Sequence, residues 1–160
     1  MTRLHGRAPC GERAVDDVPR NRGTVTSMIG GLNLRRGLEA MMTVEGGTDG
    51  DAFVAFLEHV LGPTLCPGDL VVMDNAGAHR DPRVPEVLAK FGAKPVFQPP
   101  YSPDLNPIEL AWALLKDFLR SAKARTVDAL NDHIAWGMEL VTPEIARAFY
   151  RHCGYAAQLT

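Results

Sequence analysis

The sequence predicts an α/β fold in which a mixed sheet is flanked by helices, and three observations indicate this class. Segments 24–32 and 37–44 are rich in β-branched and apolar residues and are separated by a short turn, which predicts a hairpin. The apolar run 69–73 ends in Asp-Asn and predicts a strand that is buried on both faces. Apolar residues at helical spacing follow from residue 107 onward.

Caps, prolines and periodicity place the remaining elements. They are a short strand near 13–18, helices at 51–61, 85–91, 127–141 and 143–152, a strand at 94–97 and a helix that begins at 107. Asp49 and Asp51 lie at the start of the first helix, so we expect them to serve as a cap and to interact with the helix dipole. The Gly30-Gly31 pair indicates a bulge or the close approach of another backbone.

The composition is that of a globular domain, with 46% hydrophobic and 22% charged residues in a chain of 160. Cys10, Cys66 and Cys153 are far apart and lack zinc-type spacing, so we expect free thiols. The amino-terminal residues carry no apolar signal core, and no apolar run reaches membrane-spanning length. These features predict a cytoplasmic protein with no membrane partner.

Charge is distributed unevenly along the chain, although the net charge is only −2. Residues 1–36 hold seven arginines and three acids, and residues 37–74 hold seven acids and no Lys or Arg. Residues 75–125 hold eight bases and five acids. The basic segments either contact phosphates or form solvated faces, and charge alone leaves both interpretations open.

Two carboxylates, Asp74 and Glu109, are the candidate site. Asp74 closes a predicted strand, at the sheet edge where open α/β sheets bind ligands. Glu109 is the third residue of a helix that Asn106 caps, after a proline-rich loop. Each acid also has a structural interpretation, Asp74 as a turn former and Glu109 as the capping-box partner of Asn106. Together the two acids suit Mg²⁺ or Mn²⁺, with water and phosphate filling the other coordination positions.

Two segments carry a family resemblance, VVMDNAGAH at 71–79 and PPYSPDLNPIELAW at 99–112. They resemble the catalytic domain of mariner-like DDE transposases of the bacterial insertion-sequence branch. Thirty-four residues lie between Asp74 and Glu109, which is the family's spacing between its second and third catalytic acids. The resemblance extends over about residues 1–155. It implies an RNase H-like fold, a metal site at the two acids, and DNA as the partner, both transposon ends and target, bound by a homo-oligomer or a mixed oligomer with full-length transposase.

Three further residues are candidate DNA contacts. His79 lies five residues after Asp74, where the family pattern also has a histidine, within reach of metal-bound water or a phosphate. Lys116 and Arg120 share a helix face with Glu109 and are expected to bind phosphates. His133 and His152 lack metal-ligand spacing, and we expect ordinary structural roles for them.

The family has a further catalytic acid on an opening strand, which we expect to lie upstream of this chain. We expect the same of the helix-turn-helix region that recognises the terminal repeats. Asp16 and Asp17 are early acids, but they fall on the expected second strand. We therefore expect residues 1–160 to form a single, partial catalytic domain without the first strand. Three hypotheses follow: a strand-transfer enzyme or its inactive remnant, a non-enzymatic module that binds DNA or a transposase subunit, and a receiver-like domain with Asp74 as phosphoacceptor, which lacks the expected acid pair and lysine.

Overall fold

The computed structural model describes residues 7–13, 15 and 25–156. Its strands are β1 (Thr26–Asn33), β2 (Gly37–Glu45), β3 (Leu70–Met73) and β4 (Lys94–Phe97). Its α-helices are α1 (Gly50–Phe56), α2 (Val84–Lys90), α3 (Pro107–Ala122), α4 (Val127–Glu139) and α5 (Pro143–His152). The strand predicted near 13–18 falls largely outside the described residues.

β1 and β2 form the predicted hairpin, paired antiparallel from Thr26 with Glu45 to Asn33 with Gly37. The register shifts between Gly31 and Leu32, which confirms the predicted bulge. The close neighbours of the two glycines include side chains of other elements. A Cβ at Gly30 would lie 2.9 Å from the Trp112 ring, and a Cβ at Gly31 would lie 2.7 Å from a methyl group of Leu61.

β3 and β4 form a second sheet and run parallel, with Leu70 opposite Lys94 and Met73 opposite Phe97. Among the described residues, no strand hydrogen bonds join this pair to the hairpin. The architecture is thus an α/β arrangement of small antiparallel and parallel sheets flanked by helices. It confirms the predicted fold class and is consistent with an RNase H-like fold.

The prediction that β3 is buried on both faces is wrong. Met73 is buried, but Leu70 is 63% exposed and Val72 is 40% exposed. Alternate residues of a strand point to opposite faces, so only one face of β3 is buried. That face packs on α1 and α2, whereas none of the described elements buries the face that carries Leu70 and Val72.

Helix boundaries follow the local signals, with one difference in the first helix. The predicted helix 51–61 is α-helical only to Phe56 and continues as a π-helical turn over Leu57–Leu61. There Gly62 N–H donates to the Leu57 carbonyl, five residues back. The next residue, Pro63, has no N–H group to continue the ladder. Thr126 and Thr142 cap α4 and α5 as predicted. No helix of the described residues is both long enough and apolar enough to cross a membrane.

The buried side chains form two clusters on either side of the hairpin. The first lies between the hairpin, α1, α2 and β3 and contains Ile29, Ala40, Phe53, Phe56, Leu57, Leu61, Met73, Val84, Val87, Leu88 and Ala93. The second lies between the hairpin and the three carboxyl-terminal helices and contains Leu38, Ala111, Leu115, Leu119, Ile134 and Val141. α3 is therefore packed against the hairpin on the side away from α1.

The hairpin turn docks on the loop between α4 and α5, which requires a glycine at position 37. Leu38 N–H donates to the Val141 carbonyl at 3.2 Å, and Gly37 adopts a φ of 77°. A Cβ at Gly37 would overlap the Val141 carbonyl oxygen. Gly46 has a similar φ of 88°, but a Cβ there would have no neighbour within 4 Å.

These two glycines allow a matched test of the docking contact. Gly46→Ala should lower the free energy of unfolding by about 1 kcal/mol, because only the positive φ is penalised. Gly37→Ala should cost about 2 kcal/mol more, because overpacking against the Val141 carbonyl adds to the same backbone penalty. Urea denaturation measures both values, and equal losses in the two variants would contradict the described contact.

Candidate active site

An open cleft of about 450 Å³ lies where β3 ends and α3 begins. Its lining comes from residues 74–76 and 98–103, together with Arg80, Asn106 and Glu109. Both predicted site acids, Asp74 and Glu109, therefore line the same cleft, at the carboxyl edge of the parallel strand pair.

Asp74 both forms a turn and faces the cleft. Its Oδ1 accepts a hydrogen bond from Ala76 N–H at 2.9 Å, which is the predicted turn-forming role. The same oxygen lies 2.6 Å from His79 Nδ1. The side chain is nevertheless 50% exposed, and Oδ2 has no hydrogen-bond partner among the described residues. The structural role therefore leaves one carboxylate oxygen open to a ligand.

Glu109 is not the partner in a capping box. Asn106 is the N-cap of α3, as predicted, but its side chain makes no capping hydrogen bond. Its N–H donates to the Pro103 carbonyl at 2.9 Å and not to Glu109. The exposed Glu109 carboxylate has no hydrogen bond or ion pair within the described part of the chain. The structural interpretation of Glu109 is wrong, and its carboxylate is available at the cleft.

The loop that leads into α3 and Glu109 is held by Gln98, a polar side chain that is only 7% exposed. Gln98 N–H donates to the Met73 carbonyl at 2.9 Å, which extends the β3–β4 pairing by one residue. Its Nε2 donates to the Leu105 carbonyl at 2.8 Å, just before the start of α3. Tyr155 Oη donates to the same carbonyl at 2.9 Å. The end of β3 and the start of α3 are thereby fixed to each other.

His79 lies behind Asp74. Its ring packs on Phe53 with a centroid distance of 4.4 Å, and its Nδ1 faces the Asp74 carboxylate. His79 does not belong to the cleft lining. The geometry therefore gives it a role in orienting Asp74, and its contact with DNA stays a prediction.

Lys116 and Arg120 lie farther along α3 on the same face as Glu109, as predicted. At 1.5 Å per residue they are about 10 Å and about 16 Å from Glu109 along the helix axis. Both are half-buried, and neither forms an ion pair with another described residue. Neither residue belongs to the cleft lining.

The sequence patterns do not single out two residues of the cleft, Arg80 and Tyr101. Arg80 Nη2 donates to Asn75 Oδ1 at 2.8 Å, and Asn75 Nδ2 donates to the Gln98 carbonyl at 2.7 Å. This chain of contacts holds a guanidinium group in the same cleft as the two acids. The position of Arg80, directly after His79 in the loop that follows Asp74, was the available signal.

Asp49 and Asp51, at the start of α1, have structural roles, as predicted. Asp49 caps α1 by accepting from Ala52 N–H at 2.9 Å, and Asp51 pairs with Arg83 at 2.7 Å. Arg83 also binds Asp81, and its hydrogen bonds lower the pKa of that carboxyl to about 2. These acids are occupied in tying α1 to the segment before α2.

The acids that line the cleft and could bind a metal ion are Asp74 and Glu109. Mg²⁺ is commonly held by one or two protein carboxylates, with water and phosphate as the other ligands, so Asp74 and Glu109 fit one such ion. Within the ranges that the structure describes, no group of three His, Cys, Asp or Glu side chains is placed to hold a metal.

A family model described as DDE superfamily endonuclease matches residues 1–131. The chain belongs to this family. The matched region contains the four described strands, α1 to α3 and both cleft acids, and it ends within α4. Endonucleases of this superfamily act on DNA and generally use divalent metal ions. A comparison with curated proteins gives no significant match.

The unpaired state of Glu109 has a measurable consequence for stability. Glu109→Ala should lower the free energy of unfolding by less than about 0.5 kcal/mol, because only a charge–dipole interaction is lost. Asp49→Ala is the matched control, and it should cost about 1 kcal/mol because that side chain does cap its helix. Chemical denaturation compares the two. A larger loss for Glu109→Ala than for Asp49→Ala would restore the capping-box interpretation.

Proposed function

We propose that the chain is the catalytic domain of a mariner-like transposase of the bacterial insertion-sequence branch. Such a domain cuts DNA at transposon ends and joins the 3′ hydroxyl groups to target DNA. The membership in the endonuclease family supports this function, as do the motifs at 71–79 and 99–112. The observation that carries it is that Asp74 and Glu109 line one cleft, each with a carboxylate oxygen that makes no hydrogen bond to another described residue.

In this proposal Asp74 and Glu109 hold Mg²⁺ or Mn²⁺. The bound ion supplies activation of the attacking oxygen and stabilisation of the leaving oxygen at the phosphate. The chain's own residues orient these ligands. His79 fixes the Asp74 carboxylate, and Gln98 holds the loop before Glu109. Arg80 offers a guanidinium group to a phosphate oxygen in the same cleft.

The DNA follows α3 away from the cleft. Lys116 and Arg120 continue the face of Glu109, and neither is neutralised by an acid among the described residues. Cations at these positions suit successive phosphates of a strand whose scissile bond lies in the cleft. The chain's net charge of −2 then limits binding to this path rather than to the whole surface.

A second candidate function is a non-enzymatic module that binds DNA or a transposase subunit and regulates the full-length enzyme in mixed oligomers. Two observations favour it: the described residues place no third potential metal ligand beside both Asp74 and Glu109, and the apolar face of β3 at Leu70 and Val72 is uncovered. Asp16 and Asp17, the other acids considered for the site, lie outside the described residues.

Mg²⁺-dependent nicking of supercoiled plasmid separates the two functions. Two carboxylates are few ligands for two metal ions, so we expect strand transfer to require an acid beyond the two that line the described cleft.

The metal site is tested by Mn²⁺ binding, followed by electron paramagnetic resonance. Asp74→Asn and Glu109→Gln should each lower the Mn²⁺ affinity by about tenfold or more, because each removes one of two charged ligands. Asp49→Asn is the control, since that acid caps α1, and it should leave the affinity unchanged. Equal affinity in all four proteins would contradict the proposed site.

The DNA path is tested by the salt dependence of binding. Replacing Lys116 and Arg120 together with alanine should weaken binding to duplexes of any sequence. It should also reduce the slope of log affinity against log salt by about 2, because two fewer phosphates are neutralised. Lys90→Ala is the matched control. Lys90 is paired with Glu58 at 2.7 Å, and neither residue lines the cleft. Unchanged affinity and slope in the double variant would remove α3 from the DNA path.

A further inference from the structure

Tyr101 is an aromatic residue for which the fold shows no use. Its side chain is fully exposed to solvent. In the described part of the chain, its hydroxyl group makes no hydrogen bond and its ring contacts no other aromatic ring. An isolated exposed hydrophobic residue is common on protein surfaces, so exposure alone carries no inference.

The backbone of Tyr101 provides a second, independent observation. Pro100 and Tyr101 are the central residues of a turn, and Tyr101 has a φ of 56°. Turns with a positive φ at this position favour Gly or Asn, because a β-carbon is disfavoured there. Apart from Tyr101, the only non-glycine residue with a positive φ in the described chain is Lys123, at the end of α3. A bulky residue is thus held in a strained conformation with its ring in water.

The position of the turn is fixed, so the ring is presented at one place. Pro99, Pro100 and Pro103 restrict the backbone on both sides of Tyr101. The next turn of the loop is held through Leu105 by Gln98 and Tyr155. Tyr101 lines the same cleft as Asp74 and Glu109. Strained residues held by a rigid frame concentrate at sites where a ligand uses them.

We propose that Tyr101 stacks on an unpaired base beside the phosphate that the cleft binds. This inference rests on the proposed function, and it adds that the cleft selects DNA with an unstacked base next to the reacting bond. Inside a duplex both faces of a base are covered by its neighbours, so we expect a ring on a loop tip to stack only on an unpaired base, in an overhang or flipped out of the duplex. Every base has a π-face, so this contact selects local DNA structure rather than sequence.

The arrangement assigns different parts of the DNA to different residues. Arg80 in the cleft and Lys116 and Arg120 along α3 contact phosphates, which are the same in paired and unpaired DNA. Tyr101 contacts a base face, which is accessible only where the strand is unpaired. The first group therefore sets overall affinity, and Tyr101 sets the preference for an unpaired end.

The test uses two fluorescein-labelled probes, a blunt mixed-sequence duplex and the same duplex with a short single-stranded overhang. By fluorescence anisotropy, the wild-type chain should bind the overhang probe about tenfold more tightly than the blunt one, the value expected for one stacked base. Tyr101→Ala should bind the overhang probe no more tightly than the blunt one. Tyr101→Phe and Tyr101→Trp should keep the preference, because the ring and not the hydroxyl group is used.

Tyr101→Asn is the control for folding, because Asn tolerates a positive φ better than Tyr. Its midpoint of thermal unfolding should be unchanged or higher, while the preference for the overhang is lost. A lower midpoint would instead make Tyr101 a structural residue and overturn the inference. So would a wild-type chain that binds both probes equally, or a Tyr101→Ala variant that keeps the preference. Failure to bind either probe would overturn the proposed DNA-binding function itself.

Discussion

The carbonyl group of Leu105 is the point on which the geometry of the site depends. It accepts hydrogen bonds from Gln98 Nε2 at 2.8 Å and from Tyr155 Oη at 2.9 Å. One donor comes from the residue after β4, and the other follows α5, so three distant parts of the chain meet at one atom. Gln98 is only 7% exposed, and leaving a buried polar group without its partner costs about 1 to 3 kcal/mol, which makes the contact of Gln98 with Leu105 specific. Glu109, four residues beyond Leu105, is held at a defined place relative to Asp74 because of it.

The orientation of α3 is the second constraint, and it is set by close packing. Ala111, Leu115 and Leu119 are buried along one side of the helix. Gly30 lies under the ring of Trp112, and a Cβ at Gly137 would overlap Leu115, so both neighbours of α3 approach it closely only because they lack side chains. Interiors are packed densely enough that such contacts leave little freedom of rotation. The face that carries Glu109 is consequently turned outward.

The cleft combines groups that have structural roles with groups that have none. Asp74 Oδ1 accepts the hydrogen bond that closes a turn and contacts His79 Nδ1. The Asn75 side chain bonds to both Gln98 and Arg80. The carboxylate of Glu109, in contrast, has no described partner. Glu109 is exposed, so its charge is solvated, and it can bind a ligand without first breaking a contact within the described part of the chain. The membership in a family of DNA endonucleases agrees with that chemistry.

Local patterns in the sequence predict the features that depend on near neighbours in the chain. The hairpin and its bulge, β3 and β4, the caps of α1, α4 and α5, and the places of Asp74 at a strand end and Glu109 in a first helical turn all follow from local patterns. Strand alternation, proline geometry and N-cap hydrogen bonds act over a few residues, so they can be inferred without the fold.

Which groups meet across larger separations depends on how the elements pack together. In the folded chain one face of β3 is exposed, His79 pairs with Asp74, and Tyr155 bonds to Leu105. Arg80 and Tyr101 line the same cleft as the two acids. The structure also shows that Asn106 and Glu109 do not form the capping box that their spacing suggests. Sequence spacing predicts which contacts are sterically possible. Which of them forms depends on how the rest of the chain packs, as when the Asn106 N–H bonds to the Pro103 carbonyl and not to the Glu109 carboxylate.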